Sequence, residues 1–151
     1  MVMITTLEEL KGLEGRELAV TDWLEITQER INQFADATDD HQWIHVDPER
    51  AQRESPYCAT IAHGFLTLSL LPKFLKDSLQ ISDVRMAVNY GVNRVRFPSA
   101  VRAGSRIRAR IVLQSIRDVG DATDAAYSIT FECQDVEKPC CVAEFLSRYY
   151  R

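Results

Sequence analysis

The sequence has no excess of basic residues, and this excludes one large class of function. Lys and Arg number 18 against 22 Asp and Glu, which gives a formal net charge of -4, and the arginines are spread along the chain. A groove that binds nucleic acid needs a basic face to meet the phosphates. We therefore expect no nucleic-acid partner.

Long apolar runs are also missing. No uninterrupted apolar stretch approaches the roughly 20 residues that a membrane-spanning helix needs, and the first residues lack the basic start and apolar core of a signal peptide. No Cys-x-x-Cys pair occurs, and the adjacent Cys140 and Cys141 cannot easily bridge each other. These absences predict a cytoplasmic protein with reduced thiols and no membrane partner.

The chain is long enough to form one hydrophobic core. A chain of 151 residues can bury roughly two-thirds of its unfolded surface around a single core, so we expect one domain over residues 1–151. Four stretches of the second half alternate apolar and polar residues at the period of a strand. They are residues 85–97, 105–117, 125–136 and 140–150.

The first half carries helix signals on both sides of a short irregular segment. Thr27 can cap a helix that ends near Asp39, and Asp47-Pro48-Glu49 can begin another that runs to about Ser55. Residues 39–46 are therefore expected to form a loop that is held at both ends.

A strongly apolar helix is predicted to begin at Gly64. The residues that follow, Phe-Leu-Thr-Leu-Ser-Leu-Leu-Pro-Lys-Phe-Leu, are apolar on nearly every face, which is typical of a helix buried all round. Pro72 removes one backbone hydrogen bond and should kink it. A buried helix needs something to wrap it, and the four strands supply that. The chain is thus predicted to be α+β, with a long antiparallel sheet wrapped around a central buried helix.

Asp40 and His45 stand five residues apart in the expected loop. Trp43 and Ile44 lie between them and indicate that the loop is pinned to the core and partly dry. A carboxylate and an imidazole in such a place can hold one water, and an imidazole with a pKa near 6.5 can exchange a proton at working pH. The pattern indicates general acid–base chemistry. The simpler alternative is that Asp39 and Asp40 end a helix and His45 is an ordinary loop residue.

The same segment offers possible metal ligands. Asp39, Asp40, His41 and His45 carry suitable oxygen and nitrogen atoms, and the spacing of the two histidines matches one face of a helix. The Asp-Pro that follows favours a loop, however, and no further ligand cluster is visible. We expect no metal site.

Gly64 opens the apolar helix, and two explanations for a glycine there remain open. A backbone N–H at a helix start carries part of the positive end of the helix dipole and can stabilise a developing oxyanion. A glycine would also let a bulky substrate approach the main chain. Close packing of the helix onto the sheet explains Gly64 equally well. The neighbouring His63 fits a structural role better than a catalytic one.

Taken in order, several elements of the chain resemble the MaoC-like, (R)-specific enoyl-CoA hydratase family, in particular its single-domain, NodN-like bacterial members. The matching elements are Phe34-Ala-Asp-Ala-Thr, Asp40, His45, Asp47-Pro48, Ile61-Ala-His-Gly-Phe65 and Asn93-Arg-Val-Arg-Phe-Pro98. Many relatives have asparagine where this chain has Gln42, and proline and leucine where it has Trp43 and Ile44. These departures leave the Asp40 and His45 pair intact and bear on the shape of the pocket.

The resemblance implies a hot-dog fold and a homodimer that joins two sheets edge to edge. It also implies reversible, cofactor-free hydration of trans-2-enoyl-CoA to (R)-3-hydroxyacyl-CoA. In that reaction Asp40 and His45 hold and activate the water, and the Gly64 N–H donates to the thioester oxygen. Three further residues are predicted to contact the substrate, namely Gln42, His63 and Asn93.

Two alternative functions stay open beside hydration. Hot-dog thioesterases and acyl-carrier-protein dehydratases commonly take an acidic residue from the central helix, but residues 64–75 contain no Asp or Glu, which disfavours both. A non-catalytic acyl-CoA-binding or signalling protein is suggested by the resemblance to the NodN-like members.

Overall fold

The structure, a computed structural model, describes residues 1–151 and contains eight strands and six helices. The strands are β1 (Met3–Thr5), β2 (Glu17–Val20), β3 (Leu24–Glu25), β4 (Leu79–Ile81), β5 (Met86–Arg96), β6 (Arg106–Val119), β7 (Ala122–Cys133) and β8 (Cys141–Tyr150). The helices are α1 (Leu7–Lys11), α2 (Gln28–Thr38), α3 (Trp43–Val46), α4 (Pro48–Glu54), α5 (Gly64–Ser69) and α6 (Leu71–Ser78).

The main sheet is antiparallel and has the order β2-β6-β7-β8-β5, with β3 also paired to β6. The four strands predicted from the alternating pattern are confirmed as β5 to β8. Along β7 and β8 every second residue is buried, as the period-two pattern requires. The separate strands β1 and β4 form a small parallel pair. The α+β prediction, a long antiparallel sheet beside a central helix, is confirmed.

The core lies between the sheet and the helices α5 and α6. Tyr127, Ile129 and Phe131 of β7 are almost completely buried, and Phe74 of α6 packs against Phe131 with ring centroids 5.8 Å apart. Burial of a side chain of this size contributes roughly 1.5–3 kcal/mol. These contacts hold the central helix in a fixed position on the sheet.

The central helix is interrupted close to the predicted kink at Pro72. It is divided at Leu70 into α5 and α6, because Pro72 lacks an N–H and its ring crowds the carbonyl one turn earlier. It differs from the prediction in one respect, since it is not buried all round: Phe65 is 67% exposed. An apolar pattern alone does not distinguish a side chain that faces the core from one on an uncovered surface. None of the helices is long and apolar enough to cross a bilayer.

Residues 39–46 were expected to form a loop, but four of them form α3. The predicted ends are as expected, since Asp39 closes α2 in the left-handed conformation with φ 58° and the Asp47 side chain accepts the Arg50 N–H at 3.0 Å. A single helical turn is stabilised by its contacts rather than by intrinsic propensity. The sequence therefore indicated the boundaries of this segment but not the turn inside it.

β5 forms one edge of the main sheet and pairs only with β8. Four of its large apolar side chains are between 39% and 56% exposed. They are Met86, Val88, Tyr90 and Val92. An unpaired strand edge with apolar side chains is a template for pairing with another strand.

Candidate active site

Two backbone hydrogen bonds to different segments hold the residues that lead into α5. The Ile61 N–H donates to the Ile44 carbonyl of α3 at 3.0 Å, and the Ala62 N–H donates to the Val101 carbonyl at 2.7 Å. Because His63 follows directly, these bonds place the start of α5 beside α3. Two segments that are distant in sequence thus form one site.

His45 lies on α3 and is buried, with 7% of its surface exposed. Its Nδ1 is 2.6 Å from the Ile61 carbonyl oxygen. Since a carbonyl oxygen only accepts, Nδ1 carries the proton and Nε2 is the basic nitrogen. The Gln28 side chain donates to the His45 carbonyl at 2.7 Å and supports the same turn. These bonds fix both the tautomer and the position of His45.

Asp40, His45 and His63 converge at one point. Each offers one side-chain oxygen or nitrogen atom, and the three atoms lie within 4.8 Å of one another. The Asp40 side chain is 53% exposed, whereas both imidazoles are buried. A single water can therefore reach the carboxylate and an imidazole at the same time.

His63 contacts both of the other residues. Its ring stacks on that of His45, with centroids 3.8 Å apart and an interplanar angle of 22°. Its Nε2 donates to the Asp40 carbonyl oxygen at 3.0 Å. On the other side Phe34 packs against it, with ring centroids 4.9 Å apart. The spacing of the sequence did not indicate this stack.

Burial lowers the pKa of His45 below its ordinary value of 6.5. The Ile61 carbonyl and the Asp40 carboxylate act in the opposite direction, and His63 lowers the pKa further. The net shift is downward, so the neutral imidazole is the main form of His45 at pH 7. A neutral imidazole with a free Nε2 can accept a proton from water.

The stacked imidazoles are poorly arranged for a metal ion. A metal must lie in the plane of each ring that binds it, because the nitrogen lone pair points outward in that plane. Rings that stack at 3.8 Å and 22° do not direct their lone pairs at one point. The arrangement suits acid–base chemistry, and the absence of a metal site stays a prediction.

A cavity of about 450 Å³ lies beside His45 and Gly64. Asp40 is not part of its wall. The remaining lining residues are Tyr57, Ile61, Ala62, Thr67, Phe97, Pro98, Ser99, Ala100, Val101 and Cys140. A larger cavity of about 620 Å³ lies along α6 and β5, but no carboxylate or imidazole lines it. Of these two cavities, only the smaller one is lined by an imidazole.

Cys140 is the one thiol in the wall of this cavity. Burial raises the pKa of the Cys140 thiol to about 12. The thiol is therefore neutral at pH 7, and a neutral thiol is a weak nucleophile. The cavity does not contain an activated cysteine.

Gly64 is in direct contact with the ring of Phe97. A Cβ built on Gly64 would lie 2.9 Å from Cγ and Cδ2 of Phe97, closer than side chains tolerate. Phe97 in turn meets Phe65 edge-on, with centroids 6.0 Å apart. Close packing is thus one reason for a glycine at this position. The Gly64 N–H belongs to the first helical turn, where amides have no partner within the helix, so it is also free to donate.

None of the three predicted substrate-binding residues, Gln42, His63 and Asn93, lines this cavity. Gln42 is exposed at the start of α3, where its carbonyl accepts the His45 N–H at 2.9 Å. Asn93 is exposed on β5, and its amide donates to Glu144 at 3.4 Å. Phe97 belongs to the motif Asn93-Arg-Val-Arg-Phe-Pro98, but the sequence did not indicate that it lines the cavity. The Ile61 carbonyl is a backbone group, for which a sequence carries no signal.

Comparison with known proteins identifies the family. The MaoC like domain matches residues 10–131. The chain is 48% identical over 145 residues to 3-hydroxyacyl-thioester dehydratase Z of Mycobacterium tuberculosis, and the match covers 95% of each chain. It is 44% identical over 151 residues to Nodulation protein N of Rhizobium meliloti, a match that covers 94% of this chain and 89% of the relative.

The architecture also has a counterpart among solved structures. The R-hydratase of Pseudomonas aeruginosa superposes with a TM-score of 0.70 at 17% identity, covering 91% of this chain and 82% of that one. This likeness shows that the chain has the hot-dog fold. With the domain match and the two relatives, it shows that the protein belongs to the MaoC-like dehydratase family.

Proposed function

We propose that this protein catalyses the reversible addition of water to trans-2-enoyl-CoA, giving (R)-3-hydroxyacyl-CoA. The observation that carries the proposal is the convergence of the Asp40 carboxylate and the His45 imidazole, whose Nδ1 is held by the Ile61 carbonyl, beside a cavity that Gly64 also lines. The family and the name of the M. tuberculosis relative support a hydro-lyase that acts on acyl thioesters. The name of the P. aeruginosa neighbour supports (R) handedness.

In the hydration direction, Asp40 and His45 hold one water between them. His45 Nε2 takes a proton from that water while its oxygen bonds to the β carbon of the enoyl group. The electrons of the double bond move onto the thioester oxygen, where the Gly64 N–H stabilises the negative charge. The proton then passes from His45 to the α carbon. One water is consumed, and the chemistry needs no cofactor.

We also propose that residues 1–151 form one MaoC-like domain that acts in the cytoplasm. The match to the MaoC like domain extends over residues 10–131 and supports this extent. The segments outside the match belong to the same fold, because β1 pairs with β4 and β8 lies between β7 and β5.

The test is a hydration assay with short enoyl-CoA thioesters, followed through loss of the conjugated double bond. We expect turnover without thiol release, and a product that an (S)-specific hydroxyacyl-CoA dehydrogenase does not oxidise. Thiol release with the double bond intact would instead indicate a thioesterase.

The match to Nodulation protein N favours a second candidate, a non-catalytic acyl-CoA-binding or signalling protein. Such a protein would bind enoyl-CoA and leave its double bond unchanged. Calorimetric binding combined with the hydration assay separates the two functions. Binding without hydration would reject the catalytic proposal.

The hydration rate is expected to depend on pH through His45. The reaction needs the neutral imidazole, and the pKa of His45 lies below 6.5. Activity should therefore fall on the acidic side, with a midpoint below pH 6.5, as His45 becomes protonated. The pH profile of kcat/KM measures this. An acidic limb centred above pH 6.5 would contradict the assignment of His45 as the base.

We propose that two copies of the chain associate through the β5 edge into a homodimer. The edge is unpaired and apolar, and Phe65 is exposed at the start of α5. The dimer mass should be twice 17.2 kDa in sedimentation velocity. Val92→Asp, at an exposed residue of β5, should shift the population toward the monomer, because a dimer would bury its charge. Val119→Asp, at an exposed residue of the β6–β7 hairpin, should leave the mass unchanged. A monomeric wild type would reject the proposal.

A further inference from the structure

A histidine is unusual at the buried position that His63 occupies. Only 3% of its surface is exposed, and its Nδ1 has no hydrogen-bond partner. An unpaired buried polar atom is destabilising, so an apolar ring of similar size would suit this position better for stability alone. A group of this kind in a native protein requires an explanation, and function is one.

The two contacts of His63 supply that explanation. The bond from Nε2 to the Asp40 carbonyl, 3.0 Å long, anchors a segment that belongs to no helix or strand and carries an exposed carboxylate. The stack on His45 restrains the orientation of the His45 ring plane. The bond from His45 Nδ1 to the Ile61 carbonyl fixes the position of the imidazole but leaves its plane free to turn about that bond. A ring stacked face to face prevents the turn.

We propose that His63 is a positioning residue that orients Asp40 and His45 toward one shared water. This inference rests on the proposed hydration and assigns His63 no contact with the substrate. Phe34 packs against His63 and keeps the ring in place. His63 thereby links Asp40 in the irregular segment, His45 in the short helix α3 and the start of α5.

The groups that face His45 are few. Asp40 and His63 cluster with it, and Tyr57 and the neutral thiol of Cys140 line the same cavity. Among them Asp40 raises and His63 lowers the pKa of His45. Removal of His63 should therefore raise the pKa of His45 and move the acidic limb of the activity profile to higher pH.

Two substitutions separate the two contacts. His63→Phe keeps a flat ring for the stack and loses the N–H donor, whereas His63→Gln keeps an N–H donor and loses the ring. We expect kcat to fall by about 10- to 100-fold in each variant, since small misplacements of catalytic groups can cost this much. KM should stay within about twofold. The urea midpoint of His63→Phe should be equal to or higher than that of the wild type, because the unpaired Nδ1 is gone.

His41→Gln is the matched control, because His41 is exposed and bonds only to Asp36. It should retain wild-type kcat and pH profile. NMR titration of the His45 imidazole in the wild type and His63→Phe gives a readout that needs no turnover. An inactive wild type would count against the hydratase, whereas an unchanged His45 titration would overturn the role of His63. Wild-type kcat in His63→Phe, or activity that falls only in parallel with stability, would overturn it as well.

Discussion

His45→Gln is expected to lower kcat for enoyl-CoA hydration by about 10² to 10⁴-fold, the range over which general acid–base catalysis typically contributes. Glutamine can still donate to the Ile61 carbonyl, so the variant should fold, but it offers no nitrogen that accepts a proton. Asp40→Asn should lower kcat by a similar factor, because the amide donates where the carboxylate accepted from water. The Asp40 side chain is half exposed, and its replacement should change the free energy of unfolding by less than about 0.5 kcal/mol.

The double variant gives the sharper measurement. If two residues act on the same water, the loss of either one removes most of their joint contribution to kcat. The double variant Asp40→Asn with His45→Gln should therefore be no slower than the slower of the two single variants. Multiplicative losses would mean that the two side chains act independently and would contradict a shared water.

The chain itself provides a matched control for this pair. Asp36 and His41 have the same five-residue spacing as Asp40 and His45 and contact each other at 2.8 Å, but both are exposed. Asp36→Asn and His41→Gln should leave kcat within about twofold of the wild type. A large loss in either variant would show that exposed residues of this segment take part.

Gly64→Ala is expected to have the second largest effect, and it tests the close packing that explains this glycine. The new methyl group would meet the Phe97 ring at 2.9 Å, so Phe97 or the start of α5 must move. Overpacking of this kind typically costs about 1–3 kcal/mol of stability. Alanine keeps the N–H, so the expected loss of about 10- to 100-fold in kcat/KM would come from displacement rather than from a missing donor.

A double-mutant cycle with Phe97→Ala checks the contact. If the methyl group and the ring compete for the same space, the double variant should be more stable than the sum of the single variants by about 0.5–3 kcal/mol. Activity should recover in part, since the start of α5 can return to its position. Additive free energies of unfolding, measured by urea denaturation, would contradict the contact.

The regular elements could be predicted because their signals are local. Alternation in β7 and β8 and the capping side chains of Thr27 and Asp47 each depend on a few neighbouring residues. The interruption of the central helix could be predicted in the same way, from Pro72. The exposure of Phe65 could not, because it depends on which surface lies opposite, and the apolar pattern is identical in either case.

The sequence by itself determined the fold class and the family, and it singled out Asp40, His45 and Gly64 before any geometry was known. It contains two aspartate–histidine pairs at the same spacing, however, and spacing does not distinguish them. Only the tertiary structure distinguishes the two pairs, because it buries His45 against the Ile61 carbonyl and leaves His41 in solvent. A proton acceptor is defined by its desolvation and its hydrogen-bond partners, and the chain brings these together from distant segments.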